Sequence, residues 1–127
     1  MVCASAGNHA QGVALSSNQL NIKATIVMPE ATPKIKVNAV RAFGGDNVNL
    51  VLHGKTYDEA ATEANRISLE TGAAMIHPFD DAEVIAGQGT IGMEILKVSD
   101  FNTLFLSFFW AFLNFLPYCL GYSRKTY

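Results

Sequence analysis

The feature that most limits what this chain can fold into is a regular exchange of short apolar runs with helix-length segments through residues 1–100. The apolar runs are Met1–Ala4, Ile22–Met28, Val48–Leu52 and Ala74–Ile76. Between them lie Ala10–Leu20, Pro33–Phe43 and Tyr57–Thr71, each long enough for a helix. A strand buried on both faces reads as a near-continuous apolar run, and parallel strands need a crossover of about a dozen residues or more. The pattern therefore predicts the α/β class, a parallel sheet with flanking helices.

The punctuation agrees. Thr32-Pro33 reads as an N-cap followed by proline at the first helical position, and Gly44-Gly45 as a left-handed stop after Phe43. Thr56 and Glu59 have the spacing of a capping box, in which hydroxyl and carboxylate each accept from an otherwise orphaned N–H. Behind it, Tyr57, Ala60, Ala61, Ala64 and Ile67 share one helical face, while Glu59, Glu63, Arg66 and Glu70 fall mostly outside. Gly72 ends that helix, and another is expected from about Gly87 through Leu96.

A length of 127 residues suits one domain. The formal net charge is −2, with 9 basic and 11 acidic residues and no basic stripe, which argues against a nucleic-acid partner. Cys3 and Cys119 are too few and too far apart for a disulfide framework or a metal knuckle. Nothing after Met1 resembles a signal peptide, so a cytoplasmic location is expected, or an organelle if a transit peptide precedes Met1.

Composition breaks sharply near the end. Ten of the 13 aromatic residues lie from Phe101 to Tyr127, and no charge occurs from Phe101 through Ser123. The chain therefore reads as two pieces, residues 1–100 and an apolar aromatic tail at 101–127. The stretch from Leu104 to Tyr122 is nearly long enough to span a bilayer and precedes Arg124-Lys125, but Asn114, Pro117 and Gly121 weaken that reading. A translated intron, an alternative exon end or a frameshift accounts better for so abrupt a change, and would leave an exposed apolar surface.

The segment placed to carry chemistry is Ser5-Ala6-Gly7-Asn8-His9-Ala10-Gln11-Gly12, where the first strand hands over to the first helix. In a parallel sheet, ligands bind at the carboxyl ends of strands, beside helix N-termini whose free N–H groups and dipole favour an anion. Ser5, Ala6 and Gly7 are small enough to let a ligand reach the backbone, and the Asn8 amide and His9 imidazole add polar groups beside it. The same residues also suit a plain capped turn built on Ser5 and Asn8.

This loop is followed in order by Ile26-Val27-Met28-Pro29, Lys36-Val37, Phe43-Gly44, Tyr57-Asp58-Glu59-Ala60 and Val84-Ile85-Ala86-Gly87-Gln88-Gly89-Thr90. Together they resemble the threonine deaminase and serine racemase family of pyridoxal-phosphate (PLP) enzymes, over residues 1 to about 100. The resemblance implies that this stretch is mostly the small domain of a two-domain, fold-type II PLP enzyme, with PLP as cofactor, an amino acid as substrate and a homo-oligomeric parent. It implies that Asn8 bonds the cofactor's phenolic oxygen, and that Ser5, Ala6, Gly7 and His9 hold the substrate carboxylate. The implied reaction is loss of water from L-threonine, or L-serine, to give a 2-oxo acid and ammonia. In the racemases a serine acting as opposite-face acid stands where this chain has Ala6, whose methyl exchanges no proton, so dehydration is favoured over racemisation.

Two parts of the family pattern have no counterpart in these residues. The Schiff-base lysine belongs upstream of the loop in a serine-x-lysine-x-arginine context that none of Lys23, Lys34, Lys36, Lys55, Lys97 and Lys125 has. The phosphate-holding glycine run expected downstream is replaced by the aromatic tail. No catalytic residue is therefore assigned, and the expectation is a truncated, inactive piece of a dehydratase. The rivals are a racemase-like enzyme and a catalytically dead binding fragment whose tail meets a membrane.

Other patterns carry less. Gly87-Gln88-Gly89-Thr90-Ile91-Gly92 matches a dinucleotide fingerprint but lacks a firm preceding strand and a ribose-binding acid beyond it; its glycines are expected to allow close helix packing. His53 and His77 have no partner at metal-ligand spacing, so no metal is expected. Asp80 and Asp81 read as solvated turn acids, and Lys34 and Lys36 oppose the dipole of their helix without an evident role.

Overall fold

A computed structural model describes residues 1–98. The aromatic tail, with its alternative readings, lies outside the described residues. The element order is β1 (Val2–Ala4), α1 (Asn8–Gln19), β2 (Ala24–Met28), α2 (Lys34–Gly44), a 3-10 turn at Gly45–Asn47, β3 (Val48–Leu52), α3 (Tyr57–Thr71) and α4 (Ala82–Val98). The three strands form one parallel sheet in the order β1-β2-β3, with Cys3 opposite Ile26 and Ile26 opposite Leu50. The α/β expectation holds.

Alternation along the strands assigns each face of the sheet. Cys3, Ala24, Ile26 and Met28 point to one side, where Ala10, Val13 and Ala14 of α1 and Val37 and Val40 of α2 cover them. Val2, Ala4 and Val27 point to the other, against Ala60 and Ala64 of α3. β1 and β2 are therefore covered on both faces, as their apolar runs require, while β3 at the edge is only half-buried, with Asn49 and Leu52 exposed. The Cys3 thiol is fully buried, and loss of hydration pushes its pKa up to about 12, far from any reactive range.

The fourth apolar run, Ala74–Ile76, does not form a full strand. It makes a single parallel bridge, Val2 with Met75, through Val2 N–H to the Ala74 carbonyl and Ile76 N–H to the Val2 carbonyl, both at 2.8 Å. Its position matters more than its length. The chain steps outward from β1 to β2 to β3, then returns over the opposite face through α3 to lie on the free side of β1. Right-handed crossovers put helices of opposite stepping direction on opposite faces. The reversal makes the carboxyl end of β1 a topological switch point.

Several boundaries move for local reasons. Thr32 does not cap α2: Pro33 is the N-cap residue, no side chain caps the helix, and the Thr32 hydroxyl is buried without a hydrogen bond. Gly44 is the last helical residue, and the positive φ of 51° falls on Gly45. The strand expected from Ile22 starts at Ala24, because Ile22 N–H donates to the Ser17 carbonyl and Asn21 turns the chain with φ 54°. The capping box of α3 forms as expected, and Gly72 ends the helix in the left-handed region at φ 68°.

The final helix starts earlier than expected, at Ala82. Asp81 accounts for this, since its carboxylate accepts from the N–H groups of Glu83 and Val84 and so caps the first turn. Asp81 is therefore a capping residue rather than a merely solvated acid. By contacts the chain divides into Met1–Ile85 and Ala86–Tyr127, and of the second unit the structure describes only the continuation of this helix to Val98. No helix among the described residues is long and apolar enough to cross a membrane.

Candidate functional site

Ser5 continues β1 by one residue, its N–H donating to the Val27 carbonyl at 3.1 Å. Its hydroxyl oxygen accepts from the Gly7 N–H at 3.2 Å, which bends the chain out of the sheet. Of a capped turn built on Ser5 and Asn8, the Ser5 half is present and the Asn8 half is not. Helix α1 then starts at Asn8 with Gly7 as its N-cap residue, and no side chain caps it. The first-turn N–H groups of a helix have no intrahelical acceptor, and the aligned peptide dipoles add about half a positive charge there. An uncapped, electropositive helix start thus stands at the switch point.

Space and unused polarity accompany it. A Cβ added at Gly7 or at Gly12 would meet no atom within 4 Å, so the loop opens outward. Ser5 is buried, Ala6, Gly7 and His9 are half-buried, and Asn8 is exposed with its amide unpartnered among the described residues. The structure therefore brings Ser5, Ala6, Gly7, Asn8 and His9 together as one surface.

The His9 ring behaves differently from its neighbours. Its Nε2 lies 3.1 Å from the carbonyl oxygen of Ile76, across the switch point. Loss of hydration lowers its pKa below the ordinary 6.5; the bond to Ile76 opposes that shift, and nearby His77 adds to it. The unfolded histidine takes up its proton at a higher pH than the folded one, so below 6.5 the unfolded state binds more protons and acid destabilises the fold. Urea midpoints compared at pH 7.5 and at roughly pH 5.5 should therefore fall on acidification. The fall should be smaller in His9→Gln, which has no titrating ring.

The remaining candidates separate from this surface. Gly87, Gly89 and Gly92 lie inside α4, and Glu83–Ala86 is helix rather than strand. A dinucleotide fingerprint needs its glycines in a strand-to-helix turn, so that reading fails on geometry. A Cβ at any of the three would meet nothing within 4 Å among the described residues. His53 is exposed just after β3, its N–H donating to the Met28 carbonyl, and no cluster of three metal-ligating side chains occurs among the described residues. A shallow depression lined by Met1, Lys23, Asp46, Asn49 and Thr71 lies at the amino ends of the strands, away from the loop.

Comparison with known proteins agrees with this architecture. The model of the family described as pyridoxal-phosphate dependent enzyme matches residues 1–109. The biosynthetic L-threonine dehydratase of Haemophilus influenzae is 54% identical over 107 residues, covering 84% of this chain and 20% of that protein. The chain thus spans about a fifth of that relative's length. The processed form of threonine deaminase isoform 2 from Solanum lycopersicum superposes with a TM-score of 0.70 at 57% identity, over 79% of this chain and 28% of the other. Maize serine racemase gives a TM-score of 0.70 at 36% identity, over 76% and 29%. With the family's sequence pattern running through most of its residues and the family's fold in its sheet, the chain belongs to the pyridoxal-phosphate dependent enzymes.

Proposed function

We propose that this chain is the loop-bearing part of a biosynthetic L-threonine dehydratase. The parent enzyme would remove water from L-threonine, and from L-serine, to leave a 2-oxo acid and ammonia, on the route to isoleucine. The observation that supports this most is the uncapped start of α1 at the switch point, beside the unpartnered Asn8 amide.

The residues present fit both a substrate carboxylate and a cofactor ring. The carboxylate is taken up by the N–H groups of Ala6 and His9, and Gly7, whose own N–H is turned onto the Ser5 hydroxyl, leaves the backbone open to it. Ser5 adds a donor, because its oxygen accepts from Gly7 and its O–H has no acceptor among the described residues. Fixed N–H dipoles orient an anion without reorganising, which is how such a loop holds an α-carbon in one attitude for proton removal. Asn8 directs its amide to the phenolic oxygen of the ring. The cofactor, when bound, supplies the electron sink for the α-carbon. No residue of this chain is assigned as base or nucleophile.

Ala6 decides between the two chemistries known among the relatives' names. Racemisation needs a proton donor on the opposite face of the α-carbon, and a methyl group is none. The loop therefore favours elimination. A homo-oligomeric parent in the cytoplasm or inside an organelle belongs to the same reading.

The test is a transplant of residues 1–98 into the Haemophilus influenzae dehydratase in place of the matching segment. The hybrid should form 2-oxobutanoate from L-threonine, and Asn8→Ala within it should lower kcat/KM by about a hundredfold, the usual scale for one preorganised polar contact. A hybrid that interconverts L- and D-serine but leaves threonine intact would overturn the assignment.

A further inference from the structure

We propose that the His9 side chain is a positioning residue, a latch that sets the aim of the carboxylate loop by tying the first turn of α1 to the Ala74–Ile76 segment. The proposal rests on the carboxylate-loop reading above and concerns a part of His9 which that reading does not use.

The geometry starts with the acceptor. Ile76 is held to β1 by its own N–H, which donates to the Val2 carbonyl at 2.8 Å. In a continued parallel ladder, the Ile76 carbonyl would face the Ala4 N–H one rung further on. Instead pairing stops after a single bridge, and the carbonyl lies 3.1 Å from His9 Nε2. A carbonyl only accepts, so Nε2 carries the hydrogen and the tautomer is fixed. The ring thus completes the edge of the sheet with a side chain drawn from the helix that carries the site.

What the latch controls follows from the other restraints on the loop. Ser5 N–H to Val27 fixes its root on the β2 side, and Gly7 N–H to Ser5 fixes its bend. Neither restrains the helix start toward the 74–76 side. The His9 bond does, and its ring belongs to the same residue whose N–H is assigned to the carboxylate. Half-burial of the ring disfavours its charged form, in keeping with a neutral latch beside the site.

The experiment uses the full 127-residue chain labelled with nitrogen-15, with sodium acetate as the carboxylate probe. The ring nitrogens of His9 should show hydrogen on Nε2 at neutral pH. Acetate should shift the N–H signals of His9 and its loop neighbours in the native chain. His9→Phe should raise the acetate dissociation constant about fivefold to tenfold, the range expected for one net hydrogen bond. His9→Gln, whose amide nitrogen reaches the position of Nε2, should restore it to within about twofold, and His9→Asn, one bond shorter, should not. Unchanged signals from β2 and α3 identify variants that remain folded, and Asn and Gln give the comparison if Phe does not. Hydrogen on Nδ1, or equal acetate affinity in all variants, would overturn the latch and leave the carboxylate loop standing. Failure of acetate to shift the loop signals of the native chain would overturn both.

Discussion

Ile26→Ala is expected to cost about 4 kcal/mol of folding stability, toward the upper end for truncating a buried isoleucine. Ile26 is fully buried in β2, the strand paired on both sides. Its side chain sits where α1 and α2 converge on the sheet, among Cys3, Val13, Val37 and Val40. The backbone around it is held by two ladders and cannot collapse into the space left behind. A domain of this size is stable by about 5–15 kcal/mol, so the variant would retain a small margin. In urea the midpoint should drop by roughly 2 M with an unchanged slope. Ile35→Ala provides the contrast. Ile35 is 79% exposed on the first turn of α2, and its loss should change stability by no more than about 0.5 kcal/mol. Equal effects at the two positions would mean that the sheet faces are wrongly assigned.

The parts of this fold that could be read in the sequence are those whose chemistry is local. Thr56, Glu59 and Gly72 bound α3 correctly because each acts within a few residues of itself. Residue type alone does not fix what a side chain bonds. Thr32 looks like a cap, but its hydroxyl is buried and unbonded. Asp81 carries a local signal: an aspartate just before an apolar-periodic segment is a helix start, and it also turns the apparent glycine fingerprint into helix interior. Ala74–Ile76 has the composition of a strand, yet ends at one bridge because His77-Pro78 follows and the His9 ring takes the next acceptor. At the site, the position of Ser5–His9 at a strand-to-helix junction was legible. The use of the His9 ring was not, since its partner lies 67 residues away.

Treating the full chain with PLP and then borohydride should leave no single lysine modified to stoichiometry, and threonine should yield no 2-oxobutanoate. A lysine that carries a cofactor needs its amine made reactive near neutral pH, by desolvation or by a neighbouring cation. Lys23, Lys34, Lys36, Lys55 and Lys97 are all exposed. Lys23 is further occupied, its Nζ donating to the Asp46 carbonyl at 2.8 Å at the amino ends of the strands, the wrong edge of the sheet for this site. Lys34 and Lys36 stand on the first turn of α2 and Lys55 precedes α3, while Lys125 follows Arg124 outside the described residues. With no lysine among the described residues distinguished by its surroundings, reaction should spread over several of them at a low fraction each, as peptide mapping by mass spectrometry would register. One lysine labelled to a full equivalent would refute this and relocate the reactive amine to this chain. Sparse labelling together with acetate-induced shifts at the loop would separate the two tasks physically: the α1 start binds a carboxylate through backbone N–H groups that need no cofactor, while covalent capture requires an amine in an environment that residues 1–98 do not create.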